Sequence, residues 1–239
     1  MMSYKLHRKR RWAASFLIAL IIASIGVWVE VDKQAEIDSY NQEIESLKTH
    51  LTSDLAVDVL AELPIKGRAP KTGYKRDQFG NGWRKTGDCT TRELILARDV
   101  KDAEIENCKV LNGTLEDPYT GKTILFVRGP ETSDDVQIDH VVALSDAWQK
   151  GAQSLTFAER EELANDPIEL LAVDGPANQD KGAGDAATWL PPNKIYRCSY
   201  VARQIAVKKK YSLWVTQSEN EAIKNVLKTC PDQRLPIQK

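Results

Sequence analysis

The sequence predicts an α+β body carried behind an N-terminal membrane segment. Three observations predict it: an eighteen-residue apolar run with a basic flank, three helix starts with Ser/Thr capping signals, and three short β-rich runs interleaved with them. A composition of 42% hydrophobic and 28% charged residues is that of a globular chain and excludes intrinsic disorder as the default.

Residues 1–11 hold Lys5, Arg8, Lys9, Arg10 and Arg11 and no acid, and Trp12 to Val29 carries no charge. Eighteen residues at the helical rise reach about 27 Å, close to the roughly 30 Å hydrocarbon core of a bilayer. The basic flank predicts a cytoplasmic N-terminus and an exported remainder. Two forms of this segment are open, an uncleaved signal anchor and a cleaved signal peptide. The apolar length through Val27-Trp28-Val29 favours the anchor, a membrane contact through residues 12–29. Residues 30–60 read as a helical stalk or linker, with Ile37, Tyr40, Ile44, Leu47 and Leu51 in a 3-4-3-4 stripe too short for a coiled coil. The body is therefore expected to be a monomer over residues 61–239.

Without the five N-terminal basic residues the chain holds 28 Lys+Arg against 34 Asp+Glu, a net of −6. Such a body has no global electrostatic footprint for nucleic acid, so phosphate binding needs a local patch. Lys66, Arg68, Lys71, Lys75, Arg76, Arg84 and Lys85, against Asp77 alone, form the candidate, with a solvated linker as the competing reading. Four cysteines in an exported chain suit two disulfides, and of the three pairings available the most local, Cys89 with Cys108 and Cys198 with Cys230, is expected.

Thr90 with Glu93, Thr156 with Glu159, and Ser218 with Glu221 fit the capping box, in which a hydroxyl caps the backbone and a carboxylate three residues on reaches back. Thr123 to Val127, Val136 to Val142 and Leu170 to Val173 read as strands, with Asp117-Pro118-Tyr119-Thr120-Gly121 as a hairpin-type turn. Late helices are expected around 193–209 and 218–230. Trp148, Trp189 and Tyr196 could stack on bases, but aromatics beside apolar runs are more often core.

Asp139-His140 stands out because His140 is the one histidine beyond position 50. On a strand the two side chains point to opposite faces, so they need not share a task. Asp139 offers a carboxylate and Asn178 a carbonyl, hard oxygen donors that suit Mg²⁺, with Mn²⁺ as the alternative. The His140 imidazole, with an ordinary pKa of about 6.5, suits a general base acting on water. Lys181, Arg92 and Arg128 are candidate phosphate contacts, each weighed against an ordinary surface or ion-pair role.

Residues 60–232 resemble exported HNH-type endonucleases with a ββα-metal motif, in the group of domains allied to GmrSD-like nucleases. The resemblance is carried by Lys66-Gly67-Arg68-Ala69-Pro70-Lys71-Thr72-Gly73-Tyr74, Cys89-Thr90-Thr91-Arg92, Asp117-Pro118-Tyr119-Thr120-Gly121, Val136-Gln137-Ile138-Asp139-His140-Val141-Val142, Asn165-Asp166-Pro167, Leu170-Leu171-Ala172-Val173-Asp174-Gly175, Ala177-Asn178-Gln179-Asp180-Lys181-Gly182 and Trp189-Leu190-Pro191-Pro192-Asn193. It implies a ββα-metal (HNH, His-Me finger) core embedded in a mostly helical domain, with His140 as the catalytic base and Asp139 and Asn178 as metal ligands. It also implies a nucleic-acid substrate, DNA before RNA, and because no recognition helix, zinc finger or other base-reading module is visible in the sequence, little sequence specificity is expected. One position departs: where the family has an Asn bracing the loop that holds the histidine, this chain has Glu169. An ionised Glu there accepts hydrogen bonds but cannot donate as an amide does, which predicts lowered activity or a shifted pH optimum. An exported module that binds polyanion without cleaving it is the alternative reading.

Overall fold

The computed structural model describes residues 54–130 and 132–236. The expected membrane segment at 12–29 and most of the stalk lie outside these residues. Among the described residues no helix is long and apolar enough to cross a membrane.

The body opens with α1 (Ala56–Glu62), whose buried Ala56, Val59 and Leu60 follow the i, i+3, i+4 spacing and press into the main core. Leu63, extended ahead of Pro64, ends it. A 3-10 turn at Arg76–Phe79 and the short hairpin β1 (Lys85–Thr86) and β2 (Cys89–Thr90) lead to α2 (Thr91–Asp99). Thr90 caps α2 by accepting from the Glu93 N–H at 3.3 Å, one half of the expected capping box, while the Glu93 carboxylate faces Arg128 at 3.6 Å rather than reaching back. An antiparallel sheet follows, ordered β3 (Lys101–Glu106), β4 (Lys109–Glu116), β5 (Thr123–Val127). Its first hairpin turns on Asn107 and Cys108, both with positive φ. Gly113 is required where the bulged β3 crosses β4, because a Cβ there would lie 2.5 Å from Val100 Cγ1.

β6 (Val136–His140) pairs antiparallel with β7 (Leu170–Asp174), and between them run α3 (Leu144–Gln149) and α4 (Phe157–Asn165). The capping box of Thr156 and Glu159 starts α4. α5 (Gly175–Lys181) follows β7 directly: Asp174 accepts from the Ala177 N–H at 2.8 Å, and Pro176 occupies the first turn, where its missing N–H has no intrahelical partner to lose. Gly175 is forced, since a Cβ would meet Asp134 O at 2.1 Å. α6 (Arg197–Lys210) begins four residues later than expected, after a 3-10 turn at Lys194–Tyr196. α7 (Gln217–Leu227) starts on Thr216 with Glu219, not on Ser218 with Glu221. Both pairs have capping spacing. Glu219 decides between them, because its carboxylate is buried against Lys150 and Lys208, at 2.6 and 3.0 Å.

The β6–β7 hairpin is buried on both faces. Val136, Ile138, Leu170 and Ala172 meet Ile95, Leu96 and Phe126 from α2 and β5, while Val141, Leu171 and Val173 meet residues of α1, α5 and α6. A further cluster of Phe79, Leu144, Trp148, Leu163 and Tyr211 closes the end of α6. The α+β class therefore holds, as seven helices and three small sheets among the described residues. Cys89–Cys108 ties β2 to the β3–β4 turn, and Cys198–Cys230 ties α6 to the chain after α7, the two expected pairings.

Candidate active site

β6 places Asp139 and His140 on opposite faces of its hairpin, Asp139 opposite Leu171 and His140 opposite Leu170. His140 faces a pocket of about 120 Å³ lined also by Arg76, Phe79, Gly80, Gly82, Trp83, Leu144 and Ala164. The imidazole is 7% exposed and lies parallel to the Trp83 ring, with centroids 5.6 Å apart. Its Nε2 sits 3.0 Å from Ala164 O. A carbonyl can only accept, so Nε2 carries the proton and Nδ1 is the basic nitrogen. Burial first, and then the Arg76 guanidinium, lower the His140 pKa from 6.5 to about 3, opposed by the Ala164 bond. The ring is therefore neutral and its Nδ1 lone pair is available at any pH near neutrality.

On the other face Asp139 is enclosed. Its Oδ1 accepts from Lys181 Nζ at 2.9 Å and its Oδ2 from the Tyr119 hydroxyl at 2.5 Å. Lys181 Nζ also donates to His140 O at 2.8 Å. Burial raises the Asp139 pKa, opposed by Lys181 and Tyr119. Tyr119 reaches this site because Asp117 folds the turn before β5, accepting from the Thr120 N–H at 2.7 Å and from the Asp174 N–H at 2.9 Å. Asn178, on α5, donates from Nδ2 to Gln137 Oε1 at 2.9 Å. Asp139 and Asn178 thus offer the right donor chemistry for a divalent cation but do not fit one in this arrangement. Both oxygens of Asp139 are engaged, and an ammonium stands where the cation's charge would be. Among the described residues there is no cluster of three or more His, Cys, Asp or Glu able to hold a metal.

Glu169 is wholly buried, and its Oε2 accepts from the Val142 N–H at 3.1 Å. Arg92 and Arg128 are not among the residues that line the pocket. Arg128 Nε donates to Val110 O at 2.8 Å, its guanidinium lies 3.6 Å from Glu93, and burial and the neighbouring Arg128 lower the Arg92 pKa.

The basic segment 66–85 disperses. Arg68 joins a buried network with Asp146 and Asp185, at 2.8 and 2.7 Å, Arg84 pairs with Glu161, and Lys66 and Lys71 lie over Trp214 and Tyr74. Arg76 alone of these cations lines the pocket. Trp148 is core, and Trp189 and Tyr196 pack around Tyr119. Sequence reasoning missed Trp83 and Tyr119 as parts of the two sites. Both stand in motif-poor or turn segments that only the fold brings to β6.

Fold and pocket define an α+β protein with a neutral, carbonyl-anchored histidine at the end of a strand whose partner strand leads straight into a helix. The sequence profile of the GmrSD restriction endonucleases, C-terminal domain, matches residues 90–226, more than half of the chain. A protein of Arthroderma benhamiae described as an uncharacterized secreted protein is 37% identical over 182 residues, covering 75% of this chain and 86% of that protein. The chain belongs to the family of the GmrSD C-terminal domain. No solved structure matches it.

Proposed function

We propose that the chain is an extracytoplasmic endonuclease that hydrolyses phosphodiester bonds of nucleic acid, DNA before RNA, with little sequence specificity. The observation that carries this reading is the His140 Nε2–H bond to Ala164 O, which leaves Nδ1 as the acceptor on a ring facing the pocket. Water held at Nδ1 gives up its proton there as it attacks phosphorus, the bond from phosphorus to one sugar oxygen breaks and that oxygen leaves with a proton from solvent, and the Arg76 guanidinium offsets the growing phosphoryl charge. A bound phosphate anion raises the basicity of the imidazole, opposing the effect of Arg76. Trp83 keeps the ring in plane. β6, β7 and α5 are read as the ββα unit of an HNH-type core. For the Mg²⁺ or Mn²⁺ that the resemblance implies, Asp139 and Asn178 would serve as ligands only once Lys181 had left the carboxylate, so no step here runs through a metal.

Membership of a restriction endonuclease family supports the nuclease class, and the secreted relative with the two disulfides supports the location. Degradation of plasmid DNA and of RNA by the purified protein tests the reading. Cleavage by the wild type and its loss in His140→Ala are expected. Undiminished cleavage by that variant contradicts the assignment of His140, and binding without cleavage under any condition would make the protein a polyanion-binding module.

A further inference from the structure

The hairpin face that meets α5 and α6 buries two carboxyl groups and one ammonium. Lys181 is spent on Asp139 and on His140 O. Glu169 has no Lys, Arg or His partner among the described residues, and none of its surface is exposed. Its backbone O accepts from the Val141 N–H at 2.8 Å, its Oε2 accepts from the Val142 N–H at 3.1 Å, and its Oε1 is buried without a hydrogen-bond partner. Through these two bonds one residue grips both peptide N–H groups that follow His140.

We propose that Glu169 is a positioning residue that acts as a neutral carboxylic acid, holding the Val141–Val142 backbone and with it the His140 ring in the pocket. This rests on the reading of His140 as the base. An ionised carboxylate with one backbone donor and no paired cation is strongly disfavoured in an interior, whereas a neutral carboxylic acid has no charge to desolvate. The groups facing it are Lys181 on α5, Asp139 on β6, Asp166 ahead of β7, and Tyr200 and Tyr211 on and just beyond α6. Burial raises its pKa well above the carboxylate range, and the Val142 bond and Lys181 only partly oppose this.

With the folded pKa raised above 4.5, the stabilising contribution is complete below that pH and is lost as pH rises, at up to about tenfold in the folding constant per unit. The test compares wild type, Glu169→Gln and Glu169→Ala in stability against pH and in cleavage kinetics. Glu169→Gln is expected to gain stability over wild type as pH rises above 4.5 and to keep kcat within a few-fold. Glu169→Ala is expected to lose about 10- to 100-fold in kcat with KM little changed, as for a misplaced base. A Glu169→Gln protein whose advantage is independent of pH, or which folds but does not cleave, overturns the inference. A wild type that cleaves nothing would defeat the nuclease reading alone. The stability slope then still decides this inference, together with the Val142 amide resonance, expected to be retained in Glu169→Gln and shifted in Glu169→Ala.

Discussion

Replacing His140 by Phe should remove a large part of the acid sensitivity of this fold. In the native state the imidazole is neutral because burial and Arg76 lower its pKa from 6.5 to about 3. Unfolded, it takes up a proton below about 6.5, so its stabilising contribution is complete above that pH and is lost as pH falls toward 3. At about 1.4 kcal/mol per unit, a shift of roughly 3.5 units corresponds to on the order of 5 kcal/mol. Glu169 acts with the opposite sign above 4.5, so between 4.5 and 6.5 the two slopes offset each other in the wild type and only the difference between variants isolates His140. Urea denaturation of wild type and His140→Phe at a series of pH values measures that difference. It should shift toward the variant by about 1.4 kcal/mol per unit as pH falls below 6.5. A difference that stays constant across pH 4–7, or an NMR titration of the ring near 6.5, would refute the buried neutral imidazole.

Other outcomes follow from the same geometry. Lys181→Met leaves the Asp139 carboxylate buried without a cation and should cost about 3–5 kcal/mol. Millimolar Mg²⁺ should then raise the melting temperature of that variant and not of wild type, whereas a Mg²⁺ response in wild type would show the Asp139 site open to metal. Reduction of the disulfides, which join residues 19 and 32 apart, should lower stability by about 3 kcal/mol for each bridge on loop-entropy grounds. An unchanged melting temperature in dithiothreitol would contradict this. Arg76→Ala should weaken cleavage by about tenfold or more and raise the His140 pKa, since it removes the cation lining the pocket. An unaltered rate would take Arg76 out of the mechanism.

What could be read from the sequence divides along local and non-local lines. Thr90 and Thr156 announce their helices because a cap needs only a neighbouring backbone N–H. The opposed faces of Asp139 and His140 follow from strand period alone. The choice of Thr216 over Ser218 was not legible, because it depends on Glu219 meeting Lys150 from α3's C-terminal cap, 69 residues away. The β3–β4 hairpin was missed because it is mostly exposed and lacks apolar alternation, its turn resting on positive φ at Asn107 and Cys108. Arg76 stood out only as one cation of a basic segment and Trp83 carried no signal, because only the 3-10 turn and the β1–β2 hairpin bring them to His140. Glu169 read as an altered brace, and its complete burial, the basis for proposing a neutral acid there, depends on the packing of distant elements.

His140, anchored through Nε2, is the proposed base of a phosphodiester hydrolase. The most direct test of this role is the initial rate of plasmid cleavage by wild type and His140→Ala at pH 7, with folding of both confirmed. Cleavage by wild type and a loss of about 100-fold or more in the variant are expected. Equal rates in the two proteins would contradict this role.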